Sequence, residues 1–315
     1  MQVNIGIIGL GTIGFGVYEI LRDNRENLNK KHNLNLVLKA IADPNIDNLE
    51  EDFKNIELYK EGSRIANDTE IDLAVLLIGG TGIELDLMKL AIKNKKHIIT
   101  ANKAIISEFG EEIFTLAREN KVSIHYEAAV GGVIPVVETT ENYLAANSIK
   151  SIKGIFNGTC NFILTKMDQG LSYEEALKIA QEKGFAEADP TLDVNGADTA
   201  HKITILSRLA FGNNISINDI DYKGITDLTD EDFSKAKQKN CKIKLMGSAN
   251  DKGEVYVEPV VISNNDVLSR FDNEYNAIII EGDYSGPILL AGKGAGRYPT
   301  AIAVVNDIIK AAKLL

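Results

Sequence analysis

The sequence has few cysteines, no long apolar run and no cluster of positive charge. Its two cysteines, Cys160 and Cys241, are too few and too far apart for a disulfide framework or a zinc site of the CxxC type. No apolar run approaches the about 20 residues that a membrane-spanning helix needs. The first residues also lack a signal-peptide pattern. The sequence therefore predicts a cytoplasmic protein with reduced thiols.

The charge balance also argues against two classes of partner. The formal net charge is -11, and lysine and arginine are scattered along the 315 residues. Such a chain is poorly suited to bind nucleic-acid phosphates or an anionic membrane surface, so neither partner is expected. With 44% hydrophobic residues, the chain is long enough to form two domains with separate cores.

A glycine motif follows the first strand pattern. An apolar run at residues 3–8 leads into GLGTIG at 9–14, after which apolar residues recur at helical spacing. This order suits a dinucleotide site, because pyrophosphate must approach backbone N–H groups at a helix start. The motif alone is only weakly specific. The candidate cofactor contacts in it are Gly9, Gly11, Thr12, Ile13 and Gly14.

Later strand ends support this interpretation. A strand predicted at 36–42 ends at Asp43, whose carboxylate could accept hydrogen bonds from a ribose. Strands predicted at 71–78 and 97–100, with helices at 83–93 and 108–120, continue the βα pattern to a strand at 122–126. Ligands bind at the carboxyl edge of such sheets. The candidates there are Gly79, Gly80, Thr100 and Lys103. The alternatives are glycines that serve packing alone and a solvated surface lysine.

The second half has a different pattern. Strands are predicted at 152–156, 241–249, 254–262 and 276–281, and a helix at 159–168. Ser172 and Glu175 have the spacing of a capping box. The predicted fold class is therefore an α/β Rossmann dinucleotide-binding domain, residues 1–128, followed by an α+β domain, residues 129–291.

An acid-rich segment precedes a lysine in this second half. In DVNGADTAHK at 193–202, Asp193 is predicted to cap a helix that ends at Gly212. Asp198 and Lys202 are four residues apart and share one helical face. The plainer alternative is a surface helix with one ion pair worth only about 0.3–0.5 kcal/mol. Cys160 has no histidine partner indicated and is a poor candidate nucleophile.

Six segments together resemble the homoserine dehydrogenase family from end to end of the chain. They are GLGTIG at 9–14, TANK at 100–103, EAAVGGVIP at 127–135, GIFNGTCNFILTKM at 154–167, GFAEADPTLDVNGADTAHK at 184–202 and AGKGAGRYPTA at 291–301. The resemblance implies an NAD(P)-dependent oxidoreductase that interconverts L-homoserine and L-aspartate 4-semialdehyde, a step toward threonine, methionine and isoleucine.

The resemblance also implies roles for the charged residues. Lys202 matches the proton donor of the family, and Lys103 a second lysine near nicotinamide and substrate. Asp198 would orient Lys202. Glu187 matches the glutamate that binds the substrate ammonium, with Asp193 nearby.

Further implied features concern ions, assembly and regulation. Glu127, Val130, Gly132 and Ile134 match a structural sodium site built largely from backbone carbonyl oxygens, for which a plain glycine turn without an ion is the alternative. Gly294 matches a cofactor contact, and residues 292–315 are expected to complete the first domain. The second domain is expected to bind substrate and to form a homodimer. Many members carry an ACT domain; because the sequence stops at Leu315, threonine feedback through such a domain is not expected.

Two questions stay open at the level of sequence. No arginine adjoins Asp43, which favours NAD over NADP, although Lys60 or Arg64 could fold near a 2′-phosphate. The rival functions are a related amino-acid dehydrogenase and a nucleotide-sensing protein that keeps the fold without turnover. Retention of both Lys103 and Lys202 disfavours the sensor, which needs no proton donor.

Overall fold

A computed structural model describes residues 2–48, 51 and 53–315. The chain divides into two compact units, one formed by Met1–Gly132 with Gly296–Leu315 and the other by Val133–Ala295. Within the described residues, none of the helices combines the length and apolarity needed to span a bilayer.

The first unit is a doubly wound parallel sheet. Its elements are β1 (Gln2–Ile8), α1 (Thr12–His32), β2 (Asn35–Ala42), β3 (Glu57–Tyr59), α2 (Gly62–Asn67), β4 (Leu73–Leu76), α3 (Ile83–Lys93), β5 (His97–Thr100), α4 (Lys103–Asn120) and β6 (Ile124–His125). The strands are parallel in the order β3-β2-β1-β4-β5-β6. Because the order reverses beside β1, the carboxyl ends of β1 and β4 flank the crevice where such folds bind dinucleotides.

The second unit contains a mixed sheet covered by helices. Its elements are α5 (Val136–Glu138), β7 (Ile149–Ile155), α6 (Gly158–Asp168), α7 (Tyr173–Glu182), α8 (Thr191–Val194), α9 (Ala197–Phe211), β8 (Asp221–Tyr222), α10 (Asp230–Gln238), β9 (Cys241–Asn250), β10 (Val255–Ser263), β11 (Tyr275–Gly282) and β12 (Gly286–Lys293). The sheet order is β12-β11-β7-β9-β10-β8. All pairs are antiparallel except β10 with β8.

The last helix, α11 (Arg297–Ala312), returns to the first unit and packs against α1. Arg297 Nη2 lies 2.6 Å from Glu19 Oε2, and its guanidinium carbon lies 4.9 Å from the centre of the Phe15 ring. Gly16 permits this approach, since a Cβ there would lie 3.1 Å from the Cβ of Ala301. Much of α11 is buried in the same core as β1, so the first unit is built from both ends of the chain.

Candidate active site

The GLGTIG turn has the geometry that a dinucleotide requires. Gly9 has a φ of 97°, and a Cβ on it would lie 2.7 Å from the carbonyl oxygen of Leu77. A Cβ on Gly14 would lie 2.0 Å from the carbonyl oxygen of Gly9. At Gly11, by contrast, a Cβ would meet no described atom within 4 Å. Two glycines are therefore fixed by the backbone, and the third leaves open space above the turn.

The start of α1 is open to an anion. Gly11 is the N-cap and, as a glycine, has no side chain to cap the first N–H groups of the helix. The first turn, with Thr12 and Ile13, has no acidic residue. Unpaired N–H groups and the positive end of the helix dipole favour a phosphate at such a position. These residues fit a pyrophosphate, and the pair of phosphates would be held by the amides that follow Gly11.

Asp43 adjoins the same turn. Its Oδ2 accepts a hydrogen bond of 2.8 Å from the Leu10 amide, and its Oδ1 accepts one of 2.8 Å from the Asn45 amide. The Asp43 amide donates to the carbonyl oxygen of Tyr59 at 3.0 Å. Lys60 is the next residue after Tyr59. The carboxylate is thus fixed at the end of β2, in the position predicted for the ribose ligand.

A buried carboxylate organises the ends of β4 and β5. Glu84 is 0% exposed, and its Oε2 accepts hydrogen bonds from the amides of Ile78 at 3.0 Å and Gly79 at 2.6 Å. Its Oε1 accepts a 3.0 Å hydrogen bond from the hydroxyl of Thr100. Burial raises the pKa of Glu84, although these donors oppose the shift. The side chain ties the glycine turn after β4 to the end of β5.

Lys103 lies at the start of a helix. The predicted helix at 108–120 begins earlier, at Lys103, because Asn102 caps it by accepting a 3.1 Å hydrogen bond from the Ile105 amide. Asn102 also donates to the carbonyl oxygen of Gly80 at 2.7 Å. Gly79 and Gly80 have φ values of 86° and 75°. The TANK segment and the double-glycine turn therefore form one hydrogen-bonded edge of the sheet.

In the second unit, Lys202 is buried and held by two acceptors. Its Nζ donates to Asp198 Oδ2 at 2.7 Å and to the carbonyl oxygen of Phe156 at 2.7 Å. The side chains of Lys202 and Asp198 are 9% and 6% exposed. An ammonium has three N–H donors. In the described structure, these two acceptors use two of the three donors.

Asn157 connects this ion pair to a second acid. Its Nδ2 donates to Asp198 Oδ2 and to Asp193 Oδ1, each at 2.8 Å. Its Oδ1 accepts a 2.7 Å hydrogen bond from the Cys160 amide and so caps α6. The residues Asp193, Asp198 and Lys202 are therefore brought into one hydrogen-bonded cluster.

The prediction that Asp193 caps the lysine helix is wrong. α9 begins at Ala197 with Gly196 as its N-cap, and Asp193 lies in the short helix α8. Contacts with residues 223–225 fix the bend between the two helices: the Ile225 amide donates to the carbonyl oxygen of Val194 at 2.8 Å. Glu187 is exposed in the loop before α8.

Gly294 has a structural reason to be glycine. A Cβ on Gly294 would lie 1.8 Å from Nδ2 of Asn276. Asn276 is 0% exposed and donates from that nitrogen to the carbonyl oxygen of Phe156 at 2.9 Å. The same carbonyl oxygen also accepts from Lys202. Gly294 thus lies against the residue that shares an acceptor with the candidate proton donor.

The residues of the predicted sodium site lie in a tight stretch of chain. Glu127 and Val130 are buried, and Gly132 has a φ of 57°. The carbonyl oxygens of Glu127 and Ile134 accept hydrogen bonds from the amides of Val130 at 3.2 Å and Val136 at 2.8 Å. Each carbonyl retains a second lone pair. No group of three His, Cys, Asp or Glu side chains suited to a metal occurs in residues 2–48, 51 and 53–315, so a cation here would depend on carbonyl ligands.

Two family models cover most of the chain. The NAD binding domain of homoserine dehydrogenase matches residues 9–127, and homoserine dehydrogenase matches residues 135–309. A homoserine dehydrogenase of Neisseria gonorrhoeae is 41% identical over 317 residues, which cover 99% of this chain and 73% of that protein. This chain belongs to the homoserine dehydrogenase family.

Solved structures agree with the assignment. A homoserine dehydrogenase from Thiobacillus denitrificans has a TM-score of 0.95 at 38% identity, over 100% of this chain and 74% of that chain. A hyperthermophilic archaeal homoserine dehydrogenase in complex with NADPH has a TM-score of 0.86 at 25% identity, over 100% and 99% of the two chains. The chain is therefore an NAD(P)-dependent oxidoreductase acting on a CH–OH group, and neither rival function is favoured.

Two residues with buried polar contacts, one in each unit of this homoserine dehydrogenase, were not identified as functional candidates from sequence. Asn157 follows β7 and precedes α6, a pattern that indicates only an N-cap. Glu84 falls in the first turn of an amphipathic helix, where an acidic residue is ordinary. Their contacts with Asp193, Asp198, Gly79 and Thr100 depend on tertiary structure.

Proposed function

We propose that Lys202 is the proton donor and acceptor for the oxygen of L-aspartate 4-semialdehyde and L-homoserine. The observation that supports this most strongly is the buried ammonium fixed by Asp198 and the carbonyl oxygen of Phe156 at 2.7 Å each. Hydride exchange is the chemistry that the bound nicotinamide supplies. Reduction of the aldehyde would leave negative charge on its oxygen, and Lys202 would give that oxygen a proton. In the reverse direction Lys202 accepts the hydroxyl proton.

Asp198 is proposed to orient Lys202, and two further acids to bind the amino-acid end of the substrate. A substrate α-ammonium leaving water needs negative partners. Glu187, exposed before α8, and Asp193, half-buried within it, supply carboxylates in this segment. Lys103 is proposed to supply a second ammonium at the substrate.

Residues on the glycine turns and at neighbouring strand ends are proposed to bind the cofactor. The amides after Gly11 would bind pyrophosphate, Asp43 the ribose, and Gly79, Gly80, Thr100 and Gly294 the remainder of the dinucleotide. NAD is the proposed preferred form, because the Asp43 carboxylate would repel a 2′-phosphate. Lys60 is exposed and pairs with Asp47, and the Arg64 guanidinium lies 5.3 Å over the Tyr59 ring. Lys60 and Arg64 would supply positive charge for weaker use of NADP. The archaeal relative is in complex with NADPH, the reduced form of that cofactor.

Substrate and cofactor panels test the proposal. Formation of reduced nicotinamide is followed with L-homoserine and, separately, with L-aspartate, each with NAD and with NADP. We expect turnover with homoserine, none with aspartate, and a higher kcat/KM with NAD. Comparable rates with aspartate would reject the substrate assignment, and a higher kcat/KM with NADP would reject the preference assigned to Asp43.

A sodium ion at Glu127, Val130, Gly132 and Ile134 and a homodimer through the second sheet are also proposed. Light scattering on the intact protein tests the dimer, since a monomer mass at assay concentration rejects it. Thermal unfolding in sodium chloride and in choline chloride at equal ionic strength tests the ion. We expect a higher midpoint in sodium, because a ligand that binds only the folded state stabilises it; equal midpoints reject the ion.

A further inference from the structure

The side-chain amide of Asn157 uses both of its N–H donors and one lone pair of its oxygen inside a single cluster. Its nitrogen donates to Asp193 and to Asp198 at 2.8 Å each, and its oxygen accepts from the Cys160 amide at 2.7 Å. The residue is 4% exposed. It therefore does more than cap α6.

The orientation of this amide is determined by its partners. An amide nitrogen of the main chain can only donate, so the oxygen of Asn157 must face Cys160. Carboxylates accept, so both N–H groups must face Asp193 and Asp198. A flipped side chain would lose all three hydrogen bonds.

The two carboxylates that share this nitrogen have different proposed tasks. Asp198 holds Lys202 at 2.7 Å, whereas Asp193 is a proposed ligand of the substrate ammonium. Because one nitrogen donates to both, their accepting oxygens lie within twice 2.8 Å of each other. Like charges at such a separation repel. The N–H groups of Asn157 offset that repulsion and fix the two groups relative to one another.

We propose that Asn157 is a positioning residue for catalysis. It holds Asp193, the acid proposed to bind the amino-acid end of the substrate, at a fixed position relative to the Asp198–Lys202 pair. This inference depends on the function proposed above. Loss of the amide would allow Asp193 to move away from Asp198 and would change both substrate affinity and turnover.

Two substitutions separate this role from the capping of α6. Asn157→Ser and Asn157→Asp both keep an oxygen that can accept from Cys160, since serine and aspartate are good N-caps. Asn157→Ser removes both N–H donors of the amide without adding charge and leaves a single O–H on a shorter side chain. Asn157→Asp places a third carboxylate beside Asp193 and Asp198, and such a group is driven to take up a proton.

The pH dependence of kcat/KM in the variants tests whether Asn157 acts through its hydrogen-bond donors. In the described structure, the titratable groups around this position are Asp193 on α8, Asp198 and Lys202 on α9, Cys160 on α6 and Tyr173 on α7. Once protonated, the carboxyl introduced by Asn157→Asp can donate one hydrogen bond again. The ratio of its kcat/KM to that of the wild type should therefore rise as pH falls, while the ratio for Asn157→Ser should stay constant.

The experiment measures kcat and the KM for homoserine from pH 6 to 9 in the wild type and both variants, with thermal unfolding of each. We expect kcat/KM to fall roughly 10²-fold near neutral pH in both. Wild-type values in Asn157→Ser, or a pH-independent ratio in Asn157→Asp, overturn the proposal. If both variants unfold, Asn157→Asp with Asp193→Asn restores a donor facing an acceptor and should restore folding; failure to do so also overturns it.

A parallel assay of Lys202→Ala tests the proton-donor role of Lys202 separately from the positioning role of Asn157. If that variant retains activity, the proposed proton donor is wrong whatever Asn157 does. If it is inactive while both Asn157 variants behave as wild type, only the positioning role of Asn157 is wrong.

Discussion

Lys202 Nζ lies 2.7 Å from Asp198 Oδ2, four residues away on the same helix, and both side chains are less than a tenth exposed. Lys235 and Glu231 form a pair with the same spacing, at 2.8 Å, but their side chains are 61% and 75% exposed. Water can replace either partner in the exposed pair, whereas the buried ammonium stays directed by its two protein acceptors. Burial, and not spacing, distinguishes the candidate catalytic pair.

Replacing the buried lysine should abolish proton transfer. Lys202→Ala is expected to lower kcat by roughly 10²–10⁴-fold, the range typical of losing a general acid, with the dissociation constant of the cofactor nearly unchanged. Steady-state kinetics and titration of the cofactor measure the two quantities. Lys235→Ala is the matched control and should change neither. Near-normal turnover in Lys202→Ala would move the proton-donor role to Lys103 or to water.

Glu187 is expected to act on substrate affinity. Glu187→Gln removes a negative charge from the proposed partner of the α-ammonium, so the KM for homoserine should rise about tenfold or more while kcat changes less. Initial-rate kinetics at saturating cofactor measure both. Glu182→Gln, at an exposed carboxylate in the preceding helix, is the control. An unchanged KM would remove Glu187 from the substrate site.

Two glycines of the first turn should respond differently to alanine. Gly11 has an ordinary φ of -68°, and a Cβ there has open space, so Gly11→Ala should fold normally. The added methyl group occupies the approach to the α1 amides, and the KM for the cofactor should rise about tenfold. In Gly14→Ala the Cβ would meet the Gly9 carbonyl oxygen at 2.0 Å, which should cost about 1–3 kcal/mol of stability. Urea unfolding and cofactor titration distinguish these outcomes; normal cofactor affinity in Gly11→Ala would contradict the proposed pyrophosphate position.

Glu84 should make stability depend on pH. Burial raises the pKa of Glu84 above its ordinary value of 4.5, so the folded protein binds this proton more tightly than the unfolded chain. Its contribution to stability is therefore fully present below pH 4.5 and is lost as pH rises through the raised pKa. Relative to Glu84→Gln, the wild type should lose free energy of unfolding as pH increases across that window.

Urea unfolding of both proteins at several pH values measures this difference. The loss of hydrogen bonds in Glu84→Gln adds an offset that does not vary with pH, so only the slope matters. A difference between wild type and Glu84→Gln that is constant with pH would contradict the assigned burial effect.

Periodicity predicted the elements whose sequence pattern is strong. The predicted strand at 97–100 and helix at 83–93 are confirmed as β5 and α3. The capping box of Ser172 and Glu175 is also confirmed. β12 was missed because its sequence combines glycines and Pro287 with a short apolar run at 288–290 that shows no apolar–polar alternation, and it forms a strand by pairing with β11. Local pattern indicates an element, but pairing decides whether such a weak segment becomes one.

The candidate site was only partly predictable for the same reason. The i,i+4 spacing of Asp198 and Lys202 is a local property and is confirmed as an ion pair. Asn157, by contrast, reaches acids 36 and 41 residues away. Local sequence cannot predict these contacts, because they form only when the sheet and α9 are folded. The wrong cap at Asp193 has the same origin, because residues 223–225 fix the bend before α9.

The packing of α11 on α1 imposes an order on biosynthesis. Residues 133–295 are continuous, and all six strands of their sheet are available before α11 leaves the ribosome. The amino-terminal unit emerges first, yet its core stays open until Ala301 and its neighbours reach it. Since domains generally fold as units during synthesis, the nascent chain completes its middle before its beginning. Coenzyme binding by the first unit is then expected only after residues 297–312 have been made.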